Sequence, residues 1–189
     1  MGNKPFNFIL FGRSGSGKGT QAELLAKYFG NMLQVSSGDL MRKLAEQNTD
    51  VGKKIKDTIN QGKLPYAQIA STLWMHEIAY TLKENQGLIC DGFPRRPQEA
   101  EELHEFLEWL DRIDNTKVLL INISREEAVK RLLGRGRVDD NEKAINERLD
   151  WYDDFVVPAI NFFKEKGLLI EINGEQSIEK IHEDILAKL

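Results

Sequence analysis

Apolar residues in this chain follow two rhythms that alternate from one end to the other. Short continuous apolar runs predict buried strands at Phe6–Phe11, Leu33–Ser36, Leu88–Cys90, Thr116–Ile123 and Leu168–Ile172. The run Val118-Leu119-Leu120-Ile121 is the clearest, and it is typical of a parallel strand covered on both faces. Between the runs, apolar positions recur three or four apart, as on amphipathic helices. Ala22, Leu25, Ala26 and Phe29 mark the first, with Gly30-Asn31 as its C-cap. Others are predicted from Ser37 through Ala45, from about Val51 to Asn60, and from about Tyr66 to Lys83. Pro97 suits the first turn of the next, whose face is Ala100, Leu103, Leu107 and Leu110. Ser124-Arg125-Glu126-Glu127 reads as a capping box for a helix carrying Ala128, Val129, Leu132 and Leu133 to Gly134 or Gly136. A long helix from about Asn141 to Lys166 carries a kink at Pro158. Ile178, Ile181, Ile185 and Leu189 line the last. The alternation predicts an α/β fold with a mostly parallel sheet of about five strands.

One loop stands out from this pattern. Gly12-Arg13-Ser14-Gly15-Ser16-Gly17-Lys18-Gly19-Thr20 lies between the first strand and the first helix. Strand, glycine-rich turn, helix is the context of a phosphate-binding loop. The glycines let backbone N–H groups approach an anion, the helix N-terminus adds partial positive charge, and Lys18 supplies a point charge. The general motif places Ser or Thr directly after the lysine; here Gly19 takes that place and Thr20 follows.

Composition narrows the remaining choices. At 189 residues, the chain suits one domain with small excursions, and it can bury a core without staples. A net charge of −4 argues against whole-surface nucleic-acid binding. The single cysteine, Cys90, excludes an internal disulfide and a cysteine-cage zinc site, so no structural zinc is expected. Cys90 reads as a buried strand residue. No apolar run reaches the roughly 18 residues of a membrane span, and no signal-peptide core opens the sequence, so a cytoplasmic location without membrane contact is expected.

Four charged clusters follow the loop. Ser37 and Arg42 flank a helix start, an arrangement that suits an anion contact or an ordinary cap with a surface arginine. Asp91-Gly92-Phe93-Pro94-Arg95 ends a buried strand; its carboxylate suits a water-mediated magnesium contact, and its stiff turn aims Arg95. Arg131 and Arg135 share a helix face and repel unless an anion or a carboxylate lies between them. Arg137, Asp139 and Asp140 follow. Arg148 lies on the next helix, where pairing to Glu147 or Asp150 is the simpler reading in isolation. Together, a phosphate loop and several arginines suit phosphoryl transfer between two polyanions, achieved by positioning and electrostatics without a nucleophilic side chain.

These motifs resemble those of adenylate kinases. The match rests on Gly17-Lys18-Gly19-Thr20-Gln21, Ser36-Ser37-Gly38-Asp39-Leu40-Met41-Arg42, Asp91-Gly92-Phe93-Pro94-Arg95 and Arg137-Val138-Asp139-Asp140-Asn141. It implies a P-loop three-layer sandwich with strand order 2-3-1-4-5, and magnesium-dependent transfer from ATP to AMP giving two ADP. It implies a single domain containing a monophosphate-binding segment at 36–65. Gly15, Ser16, Gly17, Lys18, Gly19 and Thr20 would hold ATP phosphates, joined by Arg135, while Arg131 and the backbone near Gln176 would meet the ATP adenine. Ser37, Arg42, Lys63, Leu64, Pro65, Gly92, Phe93, Arg95 and Gln98 would hold AMP, with Arg137 and Arg148. Lys18, Arg95, Arg137 and Arg148 would stabilise the group in flight, and Asp91 would order magnesium-bound water. The protein is expected to act as a monomer or small homo-oligomer.

The sequence departs from the family pattern at several places. Ser14 replaces the usual proline and Ser37 the usual threonine. The base-reading glutamine falls four residues after the arginine in the family; here Gln98 is three after Arg95 and Glu99 is four. Leu64-Pro65-Tyr66-Ala67 also differs, and both changes fall where the AMP base is read. Only Gly136 separates Arg135 from Arg137, which leaves an exceptionally short lid at 134–140 with hinges at Gly134 and Gly136. The alternatives are a UMP/CMP or broad-specificity monophosphate kinase and a non-catalytic nucleotide-binding switch.

Overall fold

All five residues of strand β1 (Asn7–Phe11) are buried, which places this strand at the centre of the sheet. In the computed structural model, which describes residues 5–135 and 141–189, it is flanked by β3 (Gly87–Asp91) and β4 (Thr116–Asn122). Strands β2 (Met32–Ser36) and β5 (Leu169–Asn173) form the edges, giving an all-parallel sheet in the order β2-β3-β1-β4-β5. Parallel strands need crossovers, and helices supply them on both faces.

Side-chain alternation along the strands builds two core layers. Phe8, Leu10, Ile89, Leu119 and Ile121 face α1 (Lys18–Phe29) and α9 (Ile178–Leu186), meeting Ala22, Leu25, Ile181 and Ile185. Ile9, Phe11, Cys90, Val118 and Leu120 face the other way. They pack against Trp74 and Ile78 of α4 (Ala67–Thr81), Leu103 and Leu107 of α5 (Pro97–Trp109), and Phe163 of α8 (Val157–Glu165). A third, smaller cluster joins Ile123, Ala128 and Leu132 of α6 (Arg125–Arg135) to Ile145 and Leu149 of α7 (Glu142–Trp151). The apolar stripe of α6 is narrower than the sequence suggests, because Leu133 faces solvent at 57% exposure. The helix pair α2 (Ser37–Ala45) and α3 (Asp50–Asn60) projects beyond the end of β2.

Two expectations are corrected. The helix foreseen from Asn141 to Lys166 is two helices separated by a π turn, Tyr152–Val156. Here the Val157 N–H reaches back to the Tyr152 carbonyl, five residues earlier, and Pro158 has no N–H to restore the normal ladder. The capping box is half made. Ser124 Oγ accepts from Glu127 N at 3.3 Å, but the Ser124 N–H donates to Glu175 at 2.7 Å, not to Glu127. Glu127 instead pairs with Arg131. Among the described residues, no helix is long and apolar enough to cross a membrane.

Candidate active site

The carboxyl ends of β1, β2 and β3 open onto one cleft of about 850 Å3, where parallel sheets place their ligands. The loop after β1 forms its floor. Gly12 sits at φ +147°, and a Cβ there would collide with the Ile121 carbonyl and the Ser16 hydroxyl, so no other residue fits. Ser16 Oγ is fully buried with no protein partner among the described residues. Gly17, at φ 95°, begins α1 without a side-chain cap, and this leaves the first-turn N–H groups to an anion. Lys18 turns Nζ back onto the loop, donating to the Gly12 carbonyl at 2.7 Å and the Arg13 carbonyl at 3.0 Å. Burial lowers its pKa to about 8; Asp91 opposes this, while Arg95 and Arg135 add to it. Gly15 packs on Ala128 and Leu132, which ties the loop to α6.

At the end of β3, Asp91 lies against Gly19 and within electrostatic reach of Lys18 and Arg95. Burial raises its carboxyl pKa, and both cations hold it down. Arg95 is aimed by its own turn. Its Nε donates to the Gly92 carbonyl at 2.7 Å, and its backbone N–H donates to Glu99 at 2.8 Å. Its pKa is lowered mainly by burial, against the pull of Glu99 and Asp91. Ser37 Oγ donates to the same Gly92 carbonyl at 2.5 Å, and this joins α2 to the turn. Phe93 is buried, stacked on Trp74 with ring centroids 5.1 Å apart, and shapes the turn from behind. Arg42 lines the cleft and pairs with Asp39 at 2.5 Å.

Gln98 lies on the exposed side of α5, donating to Glu102 at 3.1 Å. Glu99 is only 2% exposed and is occupied by the Arg95 N–H and by Arg96 at 3.2 Å. Its carboxylate serves the turn rather than the open cleft. Lys63 and Pro65 line the cleft, whereas Leu64 is not part of its wall.

Helices α6 and α7 supply Arg131, Arg135 and Arg148 to the cleft wall. Arg131 already has a carboxylate partner on its own helix. Glu127 accepts from Arg131 Nε at 2.7 Å, and that bond lowers the Glu127 pKa. Arg131 Nη2 also donates to the Gly174 carbonyl at 2.9 Å, fixing the loop after β5. Gln176 sits in that loop, with its side chain turned to Asn173 and Asp184. Arg148 Nε donates to the Ala144 carbonyl at 3.3 Å. Arg137, together with most of the 134–140 segment, lies outside the described residues.

Two residues near the phosphate loop gave no sequence signal of their role. Arg13 ties the loop to the π turn, pairing with Asp153 at 2.7 Å and lying 4.8 Å from the Tyr152 ring centre. Trp151 borders the cleft between Arg95 and Gly62. Both contacts join positions far apart in sequence, and no local motif encodes them.

A lysine-bearing phosphate loop at the centre of a parallel β2-β3-β1-β4-β5 sheet defines a P-loop, kinase-like α/β protein. The sequence model described as "Adenylate kinase" matches residues 10–168. Among similar proteins, an adenylate kinase of Prochlorococcus marinus (strain AS9601) is 36% identical over 183 residues, covering 97% of this chain and 98% of the relative. One of Phocaeicola vulgatus is 37% identical, with 96% of each chain covered. One of Leptospira biflexa is 36% identical, covering 96% of this chain and 98% of its own. This chain belongs to the adenylate kinase family.

Proposed function

We propose that the cleft transfers the γ-phosphoryl group of ATP to AMP, reversibly, giving two ADP. The observation that carries this reading is the placement of Lys18 with Asp91, Arg95 and Arg135 around one cleft, all three within electrostatic reach of the lysine. A loop cation and an acceptor-side arginine facing the same space suit two phosphates brought together. The family membership and the names of the relatives support it.

In this reading, the loop from Gly15 to Thr20 holds the ATP phosphates on the α1 N-terminus, with Lys18 on the β- and γ-phosphates. Arg131 and the loop near Gln176 face the ATP base. Arg42, Ser37 and Arg95 hold the AMP phosphate, and 36–65 is the monophosphate segment. An AMP phosphate oxygen attacks the γ-phosphorus in line while the bond to the ADP bridging oxygen breaks. Arg95, Arg135 and Arg148, with Arg137, neutralise charge on the moving group. The side chains form no covalent bond, so the rate comes from alignment and a preorganised positive field.

Magnesium is tested by the donor set. Among the described residues, no group of three or more His, Cys, Asp or Glu is placed to hold a metal ion. Asp91, a cleft carboxylate beside the loop, fits an ion that would be bound mainly by nucleotide oxygens, and it would support that ion through water. Such an ion, bound with ATP, would supply neutralisation of the β- and γ-phosphate charge. A minimal lid at 134–140 completes the reading; Gly134 and Arg135 end α6, and the rest lies outside the described residues.

The test is ADP formation from ATP with AMP, CMP, UMP or GMP as acceptor. AMP is expected to be the best acceptor, and an enzyme that prefers another monophosphate would overturn the substrate assignment.

A further inference from the structure

Trp151, at the last position of α7, makes two contacts in opposite directions. Its indole N–H donates to the Gly62 carbonyl at 2.7 Å, across 89 residues of sequence. The Arg95 guanidinium carbon lies 5.5 Å from its ring centre. Gly62 directly follows the α3 cap, at the root of the projecting helix pair, and two neighbours, Lys63 and Pro65, line the cleft. Trp151 itself borders the cleft, three residues after Arg148.

Gly62 could not be replaced here without moving the chain. It sits at φ +73°, and a Cβ would collide with the Ala144 backbone of α7. The root of the α2–α3 pair therefore meets α7 backbone to backbone. Trp151 supplies a directed bond at this meeting. The same ring carries Arg95, whose Nε and N–H are already committed to Gly92 and Glu99. Gly92 is in turn bonded to Ser37 at the start of α2. The helix pair is thus held at both ends, by Ser37 on the turn and by Gly62 on Trp151, and Arg95 lies between the two anchors.

We propose that Trp151 is a positioning residue that seats the root of the α2–α3 pair on α7 and sets the aim of Arg95 with the same side chain. The proposal rests on the reading above, in which this pair and Arg95 receive the monophosphate. It assigns the indole N–H to seating and the ring face to the arginine. Each can be removed separately.

Trp151→Phe keeps a ring face and removes the N–H. Loss of one part-buried hydrogen bond predicts a KM for AMP raised about fivefold, with kcat and the KM for ATP within about twofold. Trp151→Ala removes both contacts and is expected to lower kcat about tenfold as well, since Arg95 loses its platform. Hydrogen exchange of the ligand-free protein gives a readout that needs no activity. In Trp151→Phe, amides of residues 37–62 should exchange faster while those of β1, β3 and β4 stay unchanged. A parent enzyme that makes no ADP from ATP and AMP overturns the function assigned to the cleft, and the exchange experiment then decides Trp151 alone. An active parent whose Phe variant keeps the parental AMP KM and the parental exchange pattern overturns the role of Trp151. Equal KM increases for ATP and AMP do so too, because they indicate a general loss of structure.

Discussion

Lys18 is held where burial opposes its charge, and its pKa falls to about 8 although Asp91 faces it. The protonated form is the one that attracts phosphate. ATP affinity is therefore full only well below pH 8 and declines as pH rises through it. We expect the ATP dissociation constant to level off below about pH 7 and to be about tenfold weaker at pH 9, measured by calorimetry. In Lys18→Arg the decline should vanish, because arginine does not titrate in this range; a flat profile in the parent protein would contradict the burial of Lys18. For stability the sign runs the other way. The unfolded lysine keeps its proton up to about 10.5, so between about 8 and 10.5 the unfolded chain binds more protons, and this group adds stability as pH rises. Gln98 and Glu99 show what a residue count leaves open. Their spacing from Arg95 made both candidates for reading a base, but burial turned Glu99 into the support of Arg95 and left Gln98 on the exposed face of α5.

The helix ends that are set by local chemistry were legible in the sequence. Gly30, at φ 82°, stops α1, and Asn141 caps α7 by accepting from Ala144 N at 2.9 Å. The π turn after Trp151 was not legible: Pro158 marks a break without giving its kind, and Tyr152 and Asp153 in the turn meet Arg13 from another part of the chain. The capping box at Ser124 failed in its second half for the same reason, since Glu175, from the loop after β5, reached the Ser124 N–H first. Gly62 belongs to both cases. A glycine just past a helix end is a local stop signal, but the close approach of Gly62 to α7 is written nowhere in its neighbourhood. Gly62→Ala should destabilise the protein by at least about 2 kcal/mol, since an L-residue is strained at positive φ and the new Cβ must also displace the α7 backbone. Urea denaturation measures this; a change within about 0.5 kcal/mol would show that the two backbones can part at little cost.

The molecule as a whole carries a net charge of −4 but gathers Lys18, Arg42, Arg95, Arg131, Arg135 and Arg148 around one cleft. Phosphates that arrive there meet several cations at once, so ligand binding is expected to stabilise the fold strongly. At about one hundred times its dissociation constant, a two-substrate ATP–AMP analogue should add roughly 2.7 kcal/mol, or a rise of roughly 5–10 °C in Tm for a chain of this size. Thermal unfolding with and without the analogue checks this. A comparable rise in Lys18→Met under the same conditions would place the binding elsewhere.

By itself the sequence determined the alternation of strands and helices, the phosphate loop, and the turn from Asp91 to Arg95. Each is written in local terms: apolar period, glycine position, and the spacing of a charge from a strand end. The tertiary structure decided which charged groups already have partners. Glu127 answers Arg131, Glu99 supports Arg95, and Trp151 joins Gly62 to Arg95. These pairings depend on which side chains the packing of distant segments brings within hydrogen-bond reach, and spacing along the chain does not contain that distance.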